Sequence, residues 1–93
     1  TTNIICVKNN NLYLPRAKYY FGTTLQFIVR HTKRRIIKEN INVNDLDTFD
    51  EILLVGSGKG VVKLQSISQI KWNNKSDIVF NELQDLYNSY IIK

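Results

Sequence analysis

The chain of 93 residues is poor in the residue types that build disulfides and metal sites, with one cysteine, one histidine and no methionine. A single cysteine cannot form a disulfide framework within the chain, which is typical of a cytosolic protein. Cys6 stands beside Ile5 and Val7, and we expect it to be buried in a strand. His31 has no partner at a spacing useful for catalysis, and a metal site needs more ligands than this chain offers.

Long apolar runs are also absent. No stretch approaches the length needed to cross a membrane, and no secretory signal is present, so we predict a cytoplasmic protein without a membrane partner. The composition is 43% hydrophobic and 11% aromatic, which is ordinary for a folded domain and argues against disorder. The length fits a single domain over residues 1–93. The first residues lead straight into a predicted strand, which favours a piece of a larger protein, although removal of an initiator methionine before threonine would give the same start.

The charge balance is basic, with a formal net charge of +5 and a pI near 9.5. The one tight basic cluster is His31-Thr32-Lys33-Arg34-Arg35, at the end of the first predicted helix, where cations complement the helix dipole. The cluster has no interleaved aromatic residues, so we expect no nucleic-acid partner. A small basic nucleic-acid-binding module is nevertheless an alternative, and its affinity would fall steeply with salt.

Glycine is scarce, yet three of the four glycines stand together in Gly56-Ser57-Gly58-Lys59-Gly60. This stretch follows the apolar run at residues 51–55 and precedes a second β-like run at 61–67. A strand that ends at glycines exposes backbone amides, and with a hydroxyl and a lysine these can bind a phosphate. A plain strand-to-strand turn with a bulge is the structural alternative.

The fourth glycine opens a second stretch of the same kind, Gly22-Thr23-Thr24, directly before an amphipathic run that begins at Leu25. Backbone amides and hydroxyls at a helix start also suit an anion, although a simple helix cap explains the same residues. We expect the two stretches to converge on one phosphorylated ligand.

Hydrophobic periodicity predicts an α/β fold, a mixed β-sheet with two main helices. Predicted strands are residues 3–8, 12–14, 36–40, 51–55, 61–67 and 70–72, with helices at 24–35 and from 76 or 77 to 90 and a single helical turn at 42–47. The last helix has the apolar stripe Val79, Leu83, Leu86, Tyr87 and Tyr90. Tyr19, Tyr20 and Phe21 are expected to pack a connector against the core.

Five short stretches occur in an order that resembles the C-terminal domain of the class IV (branched-chain or D-amino-acid type) aminotransferase fold, which binds pyridoxal 5′-phosphate. They run from Thr2 to about Ile67. The stretches are Thr2-Asn3-Ile4-Ile5, Leu12-Tyr13-Leu14-Pro15, Gly22-Thr23-Thr24, Asn44-Asp45-Leu46-Asp47-Thr48-Phe49-Asp50-Glu51 and Val55-Gly56-Ser57-Gly58.

The resemblance implies roles for seven residues. The cofactor phosphate would be bound by Gly22, Thr23, Thr24, Gly56, Ser57 and Gly58, and Lys59 would face an acidic substrate. No residue of this chain takes a catalytic role, because the family's cofactor-binding lysine precedes the first matched strand. We therefore expect an inactive C-terminal fragment of a larger enzyme.

The loop form Gly-Ser-Gly-Lys-Gly is most similar to that of 4-amino-4-deoxychorismate lyases, including those fused to para-aminobenzoate synthase. Such an enzyme eliminates pyruvate and leaves 4-aminobenzoate for folate synthesis. The alternative is a class IV aminotransferase acting on branched-chain or D-amino acids. Leu25 and Lys63-Leu64 stand where aminotransferases often have arginine and proline-valine. Family members are typically dimers, so we also expect self-association, with a small molecule as substrate.

Overall fold

The computed structural model describes residues 2–16 and 22–91, with side chains as far as residue 89. Tyr19, Tyr20, Phe21 and the side chain of Tyr90 lie outside this description. The elements are β1 (Asn3–Lys8), β2 (Asn11–Pro15), α1 (Thr23–His31), β3 (Ile36–Glu39), β4 (Glu51–Gly56), β5 (Gly60–Lys63), β6 (Ser66–Ile67), β7 (Trp72–Asn73) and α2 (Ile78–Ile91), with 3₁₀ helices at Val43–Thr48 and Ser68–Ile70.

The main sheet has five strands in the order β3-β2-β1-β4-β5. Strands β2 and β3 are parallel and are connected through α1, whereas the other neighbours are antiparallel. The mixed sheet with two main helices predicted from the sequence is confirmed. Strands β6 and β7 form a separate two-stranded sheet.

The β1–β2 hairpin turns on two asparagines, Asn9 and Asn10, whose φ angles are 53° and 63°. Two successive residues with positive φ make the turn that fits the twist of paired strands, and asparagine tolerates this conformation better than most residues. The carboxylate of Asp50 accepts the N–H of Asn9 at 3.1 Å, which ties the turn to the residue before β4.

Two apolar layers cover the sheet. On one face, α1 and α2 pack on a core that includes Leu25, Ile28, Val79 and Leu83, each at most 1% exposed. On the other face, Phe49 and Trp72 pack with Cys6 and Ile52, and partly buried side chains surround them. The indole N–H of Trp72 donates to the carbonyl oxygen of Phe49 at 2.8 Å. The apolar stripe predicted for α2 is therefore a core face, with Leu86 and Tyr87 packed at its edge.

Three predicted boundaries were wrong. The strand predicted at 70–72 lies at Trp72–Asn73, because Ser68–Ile70 forms a 3₁₀ helix and Lys71 has a φ of 54°. Helix α1 ends at His31 because Thr32 takes an extended conformation and its hydroxyl accepts the N–H of Arg34 at 3.2 Å. The basic residues after Thr32 thus lie beyond the helix, and Arg34 pairs with the carboxylate of Glu82 at 2.8 Å. The predicted strand at 61–67 is two strands, because the chain leaves the main sheet after Lys63 to pair with β7.

Cys6 is fully buried in β1, as predicted. Burial raises the pKa of its thiol to about 12, because the thiolate would lose its hydration. The thiolate is the reactive form of cysteine, so this residue has a packing role at neutral pH. In the described part of the chain, no helix is both long enough and apolar enough to span a membrane.

Candidate anion-binding site

A cleft opens where the first turn of α1 meets the ends of two central strands. It contains about 220 Å³ of atom-free space including its open mouth, and the centre of a water molecule can lie in only about 20 Å³ of it. A ligand group would therefore lie mainly at the mouth. The lining residues are Asn3, Gly22, Thr23, Thr24, Leu25, Gly56 and Ser57.

The strand register and one side chain bring these residues together. Asn3 pairs with Val55, so the start of β1 lies beside the end of β4. The Asn3 side-chain oxygen accepts the N–H of Gly22 at 3.2 Å, and this bond holds the start of α1 over the strand ends. Asn3 is 7% exposed and was absent from the predicted site residues. The signal that could have indicated it is the stretch Thr2-Asn3-Ile4-Ile5, which carries part of the family resemblance but was given no site role.

The start of α1 leaves backbone donors without acceptors. The first four N–H groups of a helix have no partner within the helix. The Gly22 N–H is bound by Asn3, and the Gly22 carbonyl accepts from Gln26. No side chain caps the helix, so the N–H groups of Thr23, Thr24 and Leu25 have no acceptor among the described residues.

The Thr24 hydroxyl adds a fourth donor to this group. Thr24 is 3% exposed, yet its hydroxyl makes no hydrogen bond to the described residues. The only fully enclosed side-chain polar atom without a partner in the described structure is Asn74 Oδ1, so the Thr24 hydroxyl oxygen is open to the cleft and can reach a group bound there. Ser57 lies in the same cleft, is exposed, and also has no hydroxyl partner in the described structure. The two distant stretches therefore meet, as expected from the sequence.

The electrostatics of the cleft favour an anion held by dipoles. The first turn of α1 contains no acidic residue, so nothing offsets the positive end of the helix dipole. None of the lining residues is charged, and Leu25 is buried in the core at 1% exposure. An anion here would be bound by amides and hydroxyls.

The glycine-rich loop divides into residues that reach the cleft and residues that do not. Gly56 and Ser57 line it, whereas Gly58 and Lys59 do not. A Cβ atom at Gly58 would meet nothing within 4 Å. Gly60 has a φ of 72°, the conformation that three-residue hairpin loops usually assign to glycine. The loop is thus a tight hairpin as well as one wall of the cleft.

Other candidate groups do not assemble into a site. No cluster of three metal-ligating side chains exists among the described residues. Asp50 binds the N–H of Asn9, while Glu51 faces the interior and binds α2, so these adjacent carboxylates do not act together. The His31 ring packs against the Phe27 ring, with centroids 4.4 Å apart.

Comparison with protein families gives one match, to the family described as amino-transferase class IV, over residues 1–67. The matched region contains the whole cleft and ends before α2. A search of curated proteins found no significant match.

Solved structures share the fold. An aminotransferase from Brucella abortus bound to the cofactor PLP has a TM-score of 0.82 and 19% identity over 100% of this chain. A candidate 4-amino-4-deoxychorismate lyase from Legionella pneumophila has a TM-score of 0.84 and 22% identity over 95%. The branched-chain amino acid aminotransferase from Escherichia coli has a TM-score of 0.75 and 19% identity over 90%. The chain covers 34%, 34% and 30% of those proteins, about a third of their length.

Proposed function

Because the chain belongs to the amino-transferase class IV family, we propose that its cleft binds the phosphate group of pyridoxal 5′-phosphate. The observation that carries this proposal is the uncapped start of α1, where the Thr24 hydroxyl opens on the cleft without a partner among the described residues, with Ser57 on the facing wall. A phosphate dianion needs several convergent donors, and a helix start provides them together with a favourable dipole.

Five residues of the cleft have a defined part in this proposal. The N–H groups of Thr23, Thr24 and Leu25 and the hydroxyls of Thr24 and Ser57 donate to phosphate oxygens. Asn3 holds the helix start in place. The bound cofactor supplies an electron sink for carbanion chemistry, and these residues fix its phosphate end.

The test compares pyridoxine 5′-phosphate with pyridoxine, which lacks only the phosphate. Neither compound has an aldehyde, so neither forms imines with surface lysines. In NMR titrations we expect the phosphate compound to shift the amide signals of Thr23, Thr24, Leu25 and Ser57 saturably, whereas pyridoxine leaves them unchanged. Equal shifts with both compounds, or shifts confined to Lys33 and Arg35, would contradict the proposal.

Replacing Thr24 with valine should separate binding from stability. Valine keeps the shape and removes a hydroxyl that has no partner in the described structure. The free energy of unfolding should therefore stay within about 0.5 kcal/mol of the parent value. A hydrogen bond to a charged group contributes about 1.5–3 kcal/mol, so the affinity for pyridoxine 5′-phosphate should fall at least about tenfold.

The matched control is Thr48→Val on the other face of the sheet. The Thr48 hydroxyl donates to the carbonyl of Asp45 at 2.6 Å, so its removal should lower stability by about 1 kcal/mol. The affinity for pyridoxine 5′-phosphate should not change. If Thr24→Val destabilises the chain and leaves the affinity intact, the hydroxyl has a structural role and the phosphate site is wrong.

For the complete enzyme we propose 4-amino-4-deoxychorismate lyase activity, which forms 4-aminobenzoate and pyruvate. The loop Gly56-Ser57-Gly58-Lys59-Gly60 and the fold shared with the Legionella protein support it. The fold shared with the Escherichia coli aminotransferase favours branched-chain transamination as the second candidate. An assay of the complete gene product separates the two: release of pyruvate with 4-aminobenzoate supports the lyase, whereas glutamate formation from branched-chain amino acids contradicts it.

Three further expectations stay predictions. Lys59 is exposed on the loop beside the cleft and is proposed to face a substrate carboxylate.

Self-association is proposed, because the apolar side chains of Val62 and Ile78 are 41% and 57% exposed. Sedimentation at high protein concentration tests this proposal, and a clean monomer would count against it. A cytoplasmic location agrees with the single, buried cysteine.

A further inference from the structure

The side chain of Tyr87 on helix α2 contacts the glycine-rich loop. The Tyr87 hydroxyl donates to the carbonyl oxygen of Ser57 at 3.3 Å. The Tyr87 ring lies against Gly60, where a Cβ atom would come within 2.8 Å of the ring. One tyrosine therefore contacts the loop on both sides of its tip.

The position of Tyr87 is itself fixed by the packing of α2. The carboxylate of Glu51, at the start of β4, accepts the N–H groups of Val79 and Phe80 at 3.0 and 2.8 Å. The helix then runs along the core with Leu83 fully buried. Helix α2 is thus anchored at the start of β4 and reaches the loop at the end of that strand.

The contact with Ser57 bears on the cleft because Ser57 is one of its lining residues. A peptide unit is planar, so a bond that fixes the Ser57 carbonyl also fixes the orientation of the Ser57–Gly58 peptide. We propose that Tyr87 is a positioning residue that holds Ser57 in the conformation required at the anion site. This rests on the proposed phosphate binding, and it brings into the site a helix that lies outside the family match at residues 1–67.

The variant Tyr87→Phe removes the hydroxyl that binds Ser57 and keeps the ring against Gly60. The order parameters of residues 57–59 should fall from about 0.85 toward 0.6. The affinity for pyridoxine 5′-phosphate should fall about threefold, the effect of one neutral hydrogen bond. The thermal midpoint should stay within about 3 °C, since the hydroxyl lies at the surface.

Tyr13→Phe is the matched control, because Tyr13 packs on the other face of the sheet against Phe49. It should leave the loop order parameters and the affinity at parent values. Parent-like order parameters in Tyr87→Phe would overturn the positioning role, whether or not the ligand binds. Failure of the parent chain to bind pyridoxine 5′-phosphate would instead overturn the phosphate site. In that case, lower order parameters for residues 57–59 in Tyr87→Phe would still establish that Tyr87 holds the loop.

Discussion

Replacing Glu51 with alanine is expected to lower the free energy of unfolding by about 3 kcal/mol, because two helix N–H groups lose a charged acceptor. Glu51 is fully buried, and its two carboxylate oxygens bind the N–H groups of Val79 and Phe80. It therefore caps α2 from a strand distant in sequence. Denaturant unfolding monitored by the fluorescence of Trp72, the only tryptophan, measures the loss.

Two further variants make this prediction specific. Glu51→Gln keeps one acceptor oxygen and places an NH₂ group against the second N–H, so its stability should lie between those of the parent and the alanine variant. Glu82→Ala removes a glutamate whose ion pair with Arg34 is partly exposed, and should cost no more than about 1 kcal/mol. A Glu51→Ala variant as stable as Glu82→Ala would show that the carboxylate does not cap the helix.

Replacing Gly60 with alanine should destabilise the chain by about 2–5 kcal/mol, through two causes. A φ of 72° costs a residue with a side chain about 1–2 kcal/mol. The added Cβ would also lie 2.8 Å from the Tyr87 ring, and such crowding costs about 1–3 kcal/mol. Thermal unfolding should show a midpoint at least about 10 °C lower.

Gly58→Ala is the control within the same loop, because a Cβ there meets nothing within 4 Å. Its stability should stay within about 1 kcal/mol of the parent value. In a Tyr87→Ala background the crowding is absent. The stability lost when Gly60→Ala is added to that background should therefore be the cost of the positive φ alone. Equal losses for Gly58→Ala and Gly60→Ala would refute the account of the ring contact.

Much of the fold follows from local sequence patterns. A weakly alternating run rich in Ile and Val predicts β1, and a nearly continuous apolar run predicts β4. Helical spacing predicts α1 and α2, and the turn signal Asn9-Asn10-Asn11 predicts the hairpin between the first two strands. The two glycine-containing stretches predict both walls of the cleft. Glycine at a strand end or a helix start leaves backbone amides accessible, and this too is a local property of the sequence.

Local patterns misplaced two boundaries where a tertiary partner overrides propensity. The predicted strand at 61–67 divides because Ile67 pairs with Trp72 and packs on the face opposite the helices. The predicted helix beyond His31 ends because the chain must turn to place β3 parallel to β2. Periodicity cannot show either constraint, since both depend on residues outside the local window.

By itself, the sequence determined the class of the fold, the element order and the two donor-rich stretches, because these depend on side-chain spacing and backbone freedom. Only the tertiary structure decided that Asn3 joins the stretches, that Glu51 caps α2 and that Tyr87 holds the loop. Each of these contacts joins residues at least 19 positions apart, and a hydrogen bond across such a distance is set by the packing of the sheet and helices.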